Sequence, residues 1–268
     1  MLKTLRQMFG LAQEYRPPAV PAGQRVYAIG DIHGRLDLFE TLIAAVEADD
    51  AEAVKARTTV VLLGDLVDRG PDSAGVIARA RQWKQHRRLH VLAGNHEEMF
   101  LLSFQKKDVL RHFLRFGGRE TLESYGIAAN PKNKKELEAL QEAMHDRVPA
   151  ADLEFIREME DRVVVGDYAF VHAGIVPQIA LDKQAGADLR WIREPFLSSE
   201  ERHSHMIVHG HTIYSKPELR TNRIGIDTGA FASGRLTALV LEGTGRRFIQ
   251  TRVKQGVIST RTKKAKTE

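Results

Sequence analysis

Aspartate, histidine and asparagine recur in this sequence at the ends of apolar runs, most of them beside glycine. The turns are Gly30-Asp31-Ile32-His33-Gly34, Gly64-Asp65-Leu66-Val67-Asp68-Arg69-Gly70, Gly94-Asn95-His96-Glu97, Val171-His172-Ala173-Gly174 and Val208-His209-Gly210-His211-Thr212. Carboxylate, amide and imidazole groups are the donors of metal sites that mix oxygen with nitrogen, and they also act as general acids and bases. From Asp31 to Asp65 is 34 residues and from Asp65 to Asn95 is 30, each the length of one strand–helix–strand step. Such spacing sets successive turns side by side at one end of a parallel sheet, where open α/β sheets bind ligands. One such turn is usually only a turn. Five in order indicate a site.

The elements that must position these turns are legible in the hydrophobic pattern. Val26–Ile29, Thr59–Leu63 and Leu89–Leu92 read as strands. Between them, Leu36, Phe39, Leu42 or Ile43, and Val46 mark one helix, and Val76, Ile77, Ala80 and Trp83 mark another that Pro71 and Asp72 would open. Residues 98–160 read as mostly helical, broken at Phe116-Gly117-Gly118, Asn130-Pro131 and Pro149; Lys132, Lys134, Lys135 and Glu136 there read as a solvated face. Strand-like segments follow at Arg162–Val165, Tyr168–Val171, Met206–Val208, Arg223–Ile226 and Leu236–Leu241, so the second half should be β-rich. Three units are expected: an N-terminal helix and Pro-rich linker over 1–21, a catalytic domain over 22–250 with a helical insert at 98–160, and a basic, disordered tail over 251–268.

Composition limits the chemistry. The 268 residues include no cysteine, which excludes disulfides, cysteine-ligated zinc, iron–sulfur clusters and thiol nucleophiles. Absence of cysteine fits a reducing compartment, and no secretory signal or membrane span is evident, so a cytoplasmic location is expected. The net charge of +5 is local: eight of the 40 basic residues and one of the 35 acids lie beyond residue 245, leaving 32 basic against 34 acidic residues before it. Nucleic acid is therefore not an expected partner, beyond weak contacts through the tail.

With these turns, and with Trp191-Ile192-Arg193-Glu194 and Ile226-Asp227-Thr228-Gly229-Ala230, the sequence resembles the metallophosphoesterase superfamily. Within it, the likeness is to the bacterial lambda-phosphatase-like branch of the phosphoprotein phosphatases. The resemblance spans residues 25–241 and implies an α/β fold, a β-sandwich with mixed sheets flanked by helices and a dimetal site at the C-terminal ends of the strands. It implies two divalent ions bridged by Asp65, with Asp31 and His33 completing one site and Asn95, His172 and His211 the other. Mn²⁺ is favoured, and Fe and Zn²⁺ also suit these donors. His96 would be the general acid, Asp68 its orienting partner, and Arg69, Arg193 and Asn95 the grip on phosphate. His209 shares a strand face with His211 but is expected to support a ligand rather than be one, because the Gly-His-x-His pattern begins at Gly210 and its second position is Ile213.

The reaction the resemblance implies is hydrolysis of phosphoserine or phosphothreonine monoesters, with phosphotyrosine also in range, by direct attack of a metal-bridging hydroxide. The alternative is a symmetrical dinucleoside polyphosphate (Ap4A) hydrolase. Those enzymes share the first two turns but tend to lack the acid at Asp68 and to carry Asp where this chain has Glu97. These two residues set the expectation towards phosphoprotein. The insert at 98–160 is expected to wall the cleft and shape substrate choice.

Overall fold

Strand β1 (Gln24–Ile29) runs parallel to β2 (Arg57–Leu62), and β2 to β3 (Leu89–Val91), with helices α1 (Leu36–Glu52) and α2 (Ser73–Lys84) as the crossovers. This is the β-α-β arrangement that the spacing of the turns requires. The computed structural model describes residues 16–265; the N-terminal helix expected before Pro17 lies outside the described residues. On the other side of β1 lie β9 (Thr237–Glu242), β10 (Gly245–Lys254) and β11 (Val257–Lys264), giving a six-stranded mixed sheet in the order β11-β10-β9-β1-β2-β3. A second sheet has the order β4-β5-β6-β8-β7, from β4 (Arg162–Val165), β5 (Tyr168–Val171), β6 (Met206–His209), β7 (Glu218–Leu219) and β8 (Arg223–Gly225). Its central strands β5, β6 and β8 are parallel.

The sheets pack face to face, and the two-residue period of a strand divides the side chains between two cores. Val26, Ala28, Val61 and Leu63 point into the sandwich against Tyr168, Phe170, Val208 and Ile224. The alternating residues Tyr27, Ile29, Val60 and Leu62 face outward, where Leu38, Phe39, Leu42 and Val46 of α1 and Val76, Ile77 and Trp83 of α2 cover them. The helical insert continues that outer layer through Phe100, Phe113, Leu122, Met144 and Phe155. Among the described residues no helix is long and apolar enough to cross a membrane.

The basic tail departs from expectation. Residues 257–264, expected to be disordered, form β11, which pairs antiparallel with β10 from Lys254↔Val257 to Arg247↔Lys264. The two turn residues, Gln255 and Gly256, both have positive φ (51° and 77°), the conformation that closes a two-residue hairpin. β11 is an edge strand with most of its side chains in solvent, so its polar composition looked like disorder, and its lysines suit an exposed edge.

An ionic network ties the opposite end of the sheet from the turns. Arg25, 1% exposed, pairs with Asp50 at 2.9 Å and Glu242 at 3.0 Å; Arg87 reaches Glu47 and Asp50, and Arg247 reaches Asp49. Burial works against ionisation of Asp50, but hydrogen bonds from Thr58, Arg25 and Arg87 outweigh it and hold its pKa below the ordinary value. Asp49 is held down likewise, by Arg247 and Tyr27 against burial. Stability from such groups is present above the unfolded-state pKa of about 4 and is lost as pH falls through their lowered values. Asp50→Asn should therefore cost about 2 kcal/mol at neutral pH, since Arg25 stays buried with one carboxylate partner fewer. Urea unfolding at pH 7 and pH 3 checks this: the deficit should shrink at pH 3, and an equal deficit at both would remove the electrostatic account.

Candidate active site

The five turns meet at the C-terminal ends of β1, β2, β3, β5 and β6, and the backbone there is held in an unusual state. Of the seven non-glycine residues with positive φ among those described, five are His33, Asp65, Asp68, Arg69 and His211. Left-handed conformations of such residues cost energy and persist only where the surroundings fix them. The first two turns fasten to each other, Ile32 and His33 donating their backbone N–H to Asp65 O and Gly34 to Leu66 O. Glu97 anchors the second turn from below. Its buried carboxylate accepts the N–H groups of Gly94, Asp65, Leu66 and Val67 at 2.7–3.2 Å. Gly94 has to be bare, because a Cβ there would lie 2.1 Å from Asp65 Oδ1.

Asp65 stands at the centre. Its Oδ2 is 3.6 Å from His33 Nε2 and 3.9 Å from His96 Nε2, while its Oδ1 is 3.4 Å from His172 Nε2. Two groups of donors share this carboxylate, His33–Asp65–His96 and Asp65–His172–His211, each with its atoms within 4.8 Å of one another. Asn95 Oδ1 joins the second group, 3.1 Å from His172 Nε2 and 2.9 Å from His211 Nδ1. His33 Nδ1 donates to Val67 O and His172 Nδ1 to Leu63 O, which turns each Nε2 towards the site. Asp31 joins neither group; its carboxylate receives the backbone N–H of His211 at 3.0 Å and so locks the first turn to the fifth. Asp31 is buried in the same pocket, where Asp65, Asp227 and His172 act on its carboxylate.

The charges in this pocket call for cations. Asp31 is fully buried, and burial together with Asp227 and Asp65 raises its pKa well above the usual range. His172 is buried too, yet Asp65 and Asp31 hold it protonated up to about 10. His33 and His211 are both pushed down to about 3 by burial, which leaves them as neutral donors. Clustered buried carboxylates with neutral imidazoles facing them form a donor set that suits divalent ions. The residues fit the two-metal group that the fold implies.

Two further features lie beside these donor groups. His96 Nδ1 donates to Asp68 Oδ2 at 2.6 Å, and Thr121 of the insert donates to Asp68 Oδ1 at 2.6 Å. Burial and Arg69 oppose a charged His96, but Asp65 and Asp68 outweigh them and raise its pKa. Arg69 spans the mouth, Nη1 2.8 Å from His33 Nε2 and Nη2 3.0 Å from His96 Nε2, with its guanidinium 4.9 Å from the Phe231 ring. Arg193 is exposed and makes no ion pair with Glu194, whose carboxylate accepts from Ser198 N instead; its charge is felt at His211. His209 lies in the core behind the turns, edge-on to Phe196 at 5.1 Å, and joins neither donor group. Burial lowers its pKa to about 4.

Asp227 went unassigned in the sequence although its motif was noticed. It follows β8, which is parallel to β6, and is 1% exposed. Burial raises its pKa to about 6, with Asp65 contributing and a hydrogen bond from Gly229 opposing. The signal was the same as for the other turns, an acid at the end of an apolar strand, Arg223-Ile224-Gly225-Ile226.

A sandwich of two mixed sheets carrying paired His–Asp groups that share one carboxylate defines a metallophosphoesterase, a hydrolase of phosphate esters. The chain belongs to the calcineurin-like phosphoesterase family, whose sequence profile matches residues 24–224. A relative from Oceanobacillus iheyensis, 25% identical over 80% of this chain and 87% of its own length, is named bis(5'-nucleosyl)-tetraphosphatase PrpE [asymmetrical]. One from Acidovorax sp. strain JS42, 32% identical over 57% of this chain but only 45% of its own length, is named bis(5'-nucleosyl)-tetraphosphatase, symmetrical. A crystal structure provisionally described as a diadenosine tetraphosphatase matches with a TM-score of 0.59 at 21% identity, covering 92% of this chain and 98% of that one. A cold-active protein tyrosine phosphatase matches with a TM-score of 0.56 at 19% identity, over 90% of this chain and 81% of that one.

The phosphoserine/phosphothreonine assignment is overturned by these relatives, whose names specify dinucleoside tetraphosphates. The physical reason lies in the two residues on which it rested. Glu97 binds four backbone N–H groups under the second turn, and Asp68 binds His96 and Thr121. Both are engaged with protein groups around the turns. Neither reads the group attached to the phosphate.

Proposed function

We propose that this chain hydrolyses dinucleoside polyphosphates, breaking a phosphoanhydride bond by direct attack of water. The observation that carries the reading is the match, along most of both chains, to a relative named as a bis(5'-nucleosyl)-tetraphosphatase. The site supplies what the reaction needs. Asp65, Asp31, His33, Asn95, His172 and His211 are the residues that would hold two divalent ions, Mn²⁺ first among them. When bound, such ions acidify a water and neutralise charge on the attacked phosphoryl group. Arg69 at the mouth and Arg193 on the exposed rim would grip the phosphate oxygens. His96, held by Asp68, would deliver its proton to the bridging oxygen as the P–O bond breaks. The insert enters the site through Thr121 on Asp68 and through Gly117, whose carbonyl accepts Arg69 N at 3.0 Å.

The test is a competition between Ap4A and a phosphoserine peptide with Mn²⁺-loaded protein. Ap4A should be favoured at least tenfold in kcat/KM, and a faster peptide would sink the reading. The products report the point of attack: ADP alone for symmetrical cleavage, ATP with AMP for asymmetrical.

A further inference from the structure

The insert carries a second basic surface that the reaction centre does not use. A groove of about 650 Å³ is lined by Arg111, Arg115, Arg119, Lys132 and Lys134, with Glu120 the sole acid on its walls. Arg111 is paired with Asp108, but Arg115, Arg119, Lys132 and Lys134 are exposed and have no ion-pair partner among the described residues. Four exposed cations without an ion pair along one groove, against the single acid Glu120 on its walls, raise the local affinity for a polyanion. Gly117 lies on the same wall. Its φ of 106° breaks the helical path between Lys107–Phe113 and Arg119–Ser124, and a Cβ there would come 2.5 Å from Arg69 N. One residue thus separates the groove from Arg69, the cation at the mouth of the reaction centre. Phe116, 46% exposed and tilted 38° against His112 with ring centroids 4.3 Å apart, lies in the chain between the groove residues Arg115 and Gly117. An exposed aromatic ring next in the chain to the groove's cations suits a nucleotide better than a bare inorganic anion.

We propose that this groove binds the distal part of the substrate, the phosphates and nucleotide beyond the bond being cleaved, and so selects polyphosphate-bridged substrates over simple monoesters. The inference rests on the dinucleoside polyphosphate reading and sharpens it. The cations that read as a solvated face in the sequence, Lys132 and Lys134, become the far bank of a substrate channel.

The experiment compares the wild type with Arg115→Ala/Arg119→Ala and with Lys132→Ala/Lys134→Ala. All four side chains are exposed, so folding should be unaffected. For each pair KM for Ap4A should rise about tenfold or more, while kcat/KM for p-nitrophenyl phosphate stays within twofold. Equal losses on both substrates, or none on Ap4A, would overturn the proposal. In parallel, calorimetry without added metal measures the binding of inorganic tripolyphosphate to the full chain. Tenfold weaker binding in the arginine pair supports the groove, and unchanged binding counts against it. Should the wild type fail to hydrolyse Ap4A while the variants still weaken tripolyphosphate binding, the functional reading falls and the phosphate-chain site stands. Should Ap4A be hydrolysed and both pairs behave as wild type, the groove falls alone.

Discussion

Asp65→Asn should lower kcat for any phosphate ester or anhydride by about 10³-fold or more, the scale set by losing several kcal/mol of metal-dependent stabilisation. The substitution keeps the shape of the side chain and removes one charge and one donor oxygen. Both oxygens are engaged in the native site, Oδ1 towards His172 and Oδ2 towards His33 and His96, so an amide cannot serve both sides equally. The backbone of the turn should not move. Asp65 N still donates to Glu97, and Asp65 O still accepts from Ile32 and His33. Bound metal should therefore drop from two ions per chain to one or fewer by elemental analysis, with an unchanged circular dichroism spectrum. In the metal-free protein, where Asp65 contributes most to holding the His172 proton up to about 10, the variant should titrate that histidine much lower by NMR. Two retained ions with near-native turnover would remove Asp65 from its shared position.

The parts of this site legible in the sequence are those set by chain-local rules. A strand followed by a tight turn puts Asp31, Asp65 and Asn95 at one sheet edge, because β-α-β steps of equal length repeat the same geometry. His172 and His211 followed from the same rule on the second sheet. Asp227 obeys it too, at the end of the segment Arg223–Ile226, although no role was drawn from its position. What the sequence could not show was long-range pairing. Thr121 is 53 residues from Asp68, and nothing local marks it as the donor that fixes that carboxylate. Gly117 read as a helix breaker, although its bareness also admits Arg69. The tail was misread for a related reason: an edge strand gets its order from the neighbour it pairs with, and β11 has little apolar content of its own to announce it. Substrate choice was least legible, since the motifs that define the family describe the attacked phosphate and say nothing of the rest of the substrate.

His96→Asn should lower kcat on an alkyl phosphate monoester by about 10²–10³-fold, the range for loss of a positioned general acid. The size of the loss should depend on the leaving group. A p-nitrophenolate and a nucleotide phosphate, both weakly basic, depart with little need of a proton and should be affected least, and an alkyl alcohol most. That gradient separates proton donation from a role as a metal ligand, which the proximity of His96 to Asp65 would equally permit. A ligand's loss would depress all substrates alike and lower the metal content. On the proposed mechanism Asp68 would act on the reaction through His96, to which it is hydrogen-bonded, as a positioning residue. In the metal-free protein burial opposes the imidazolium while Asp65 and Asp68 outweigh it, so His96 holds its proton to higher pH than an ordinary histidine. Activity that needs this proton is present below the His96 pKa and lost as pH rises through it. Asp68→Asn keeps a hydrogen-bonding oxygen beside His96 Nδ1 but removes the charge, so the alkaline limb of the kcat profile should move to lower pH. Thr121→Val, which deletes the hydroxyl on the other Asp68 oxygen, should loosen the same pair without removing a charge and leave that limb nearly in place. In the double variant His96→Asn/Asp68→Asn the loss should be no greater than in His96→Asn alone, because the two act as one unit. Additive losses would show that Asp68 works on something other than His96.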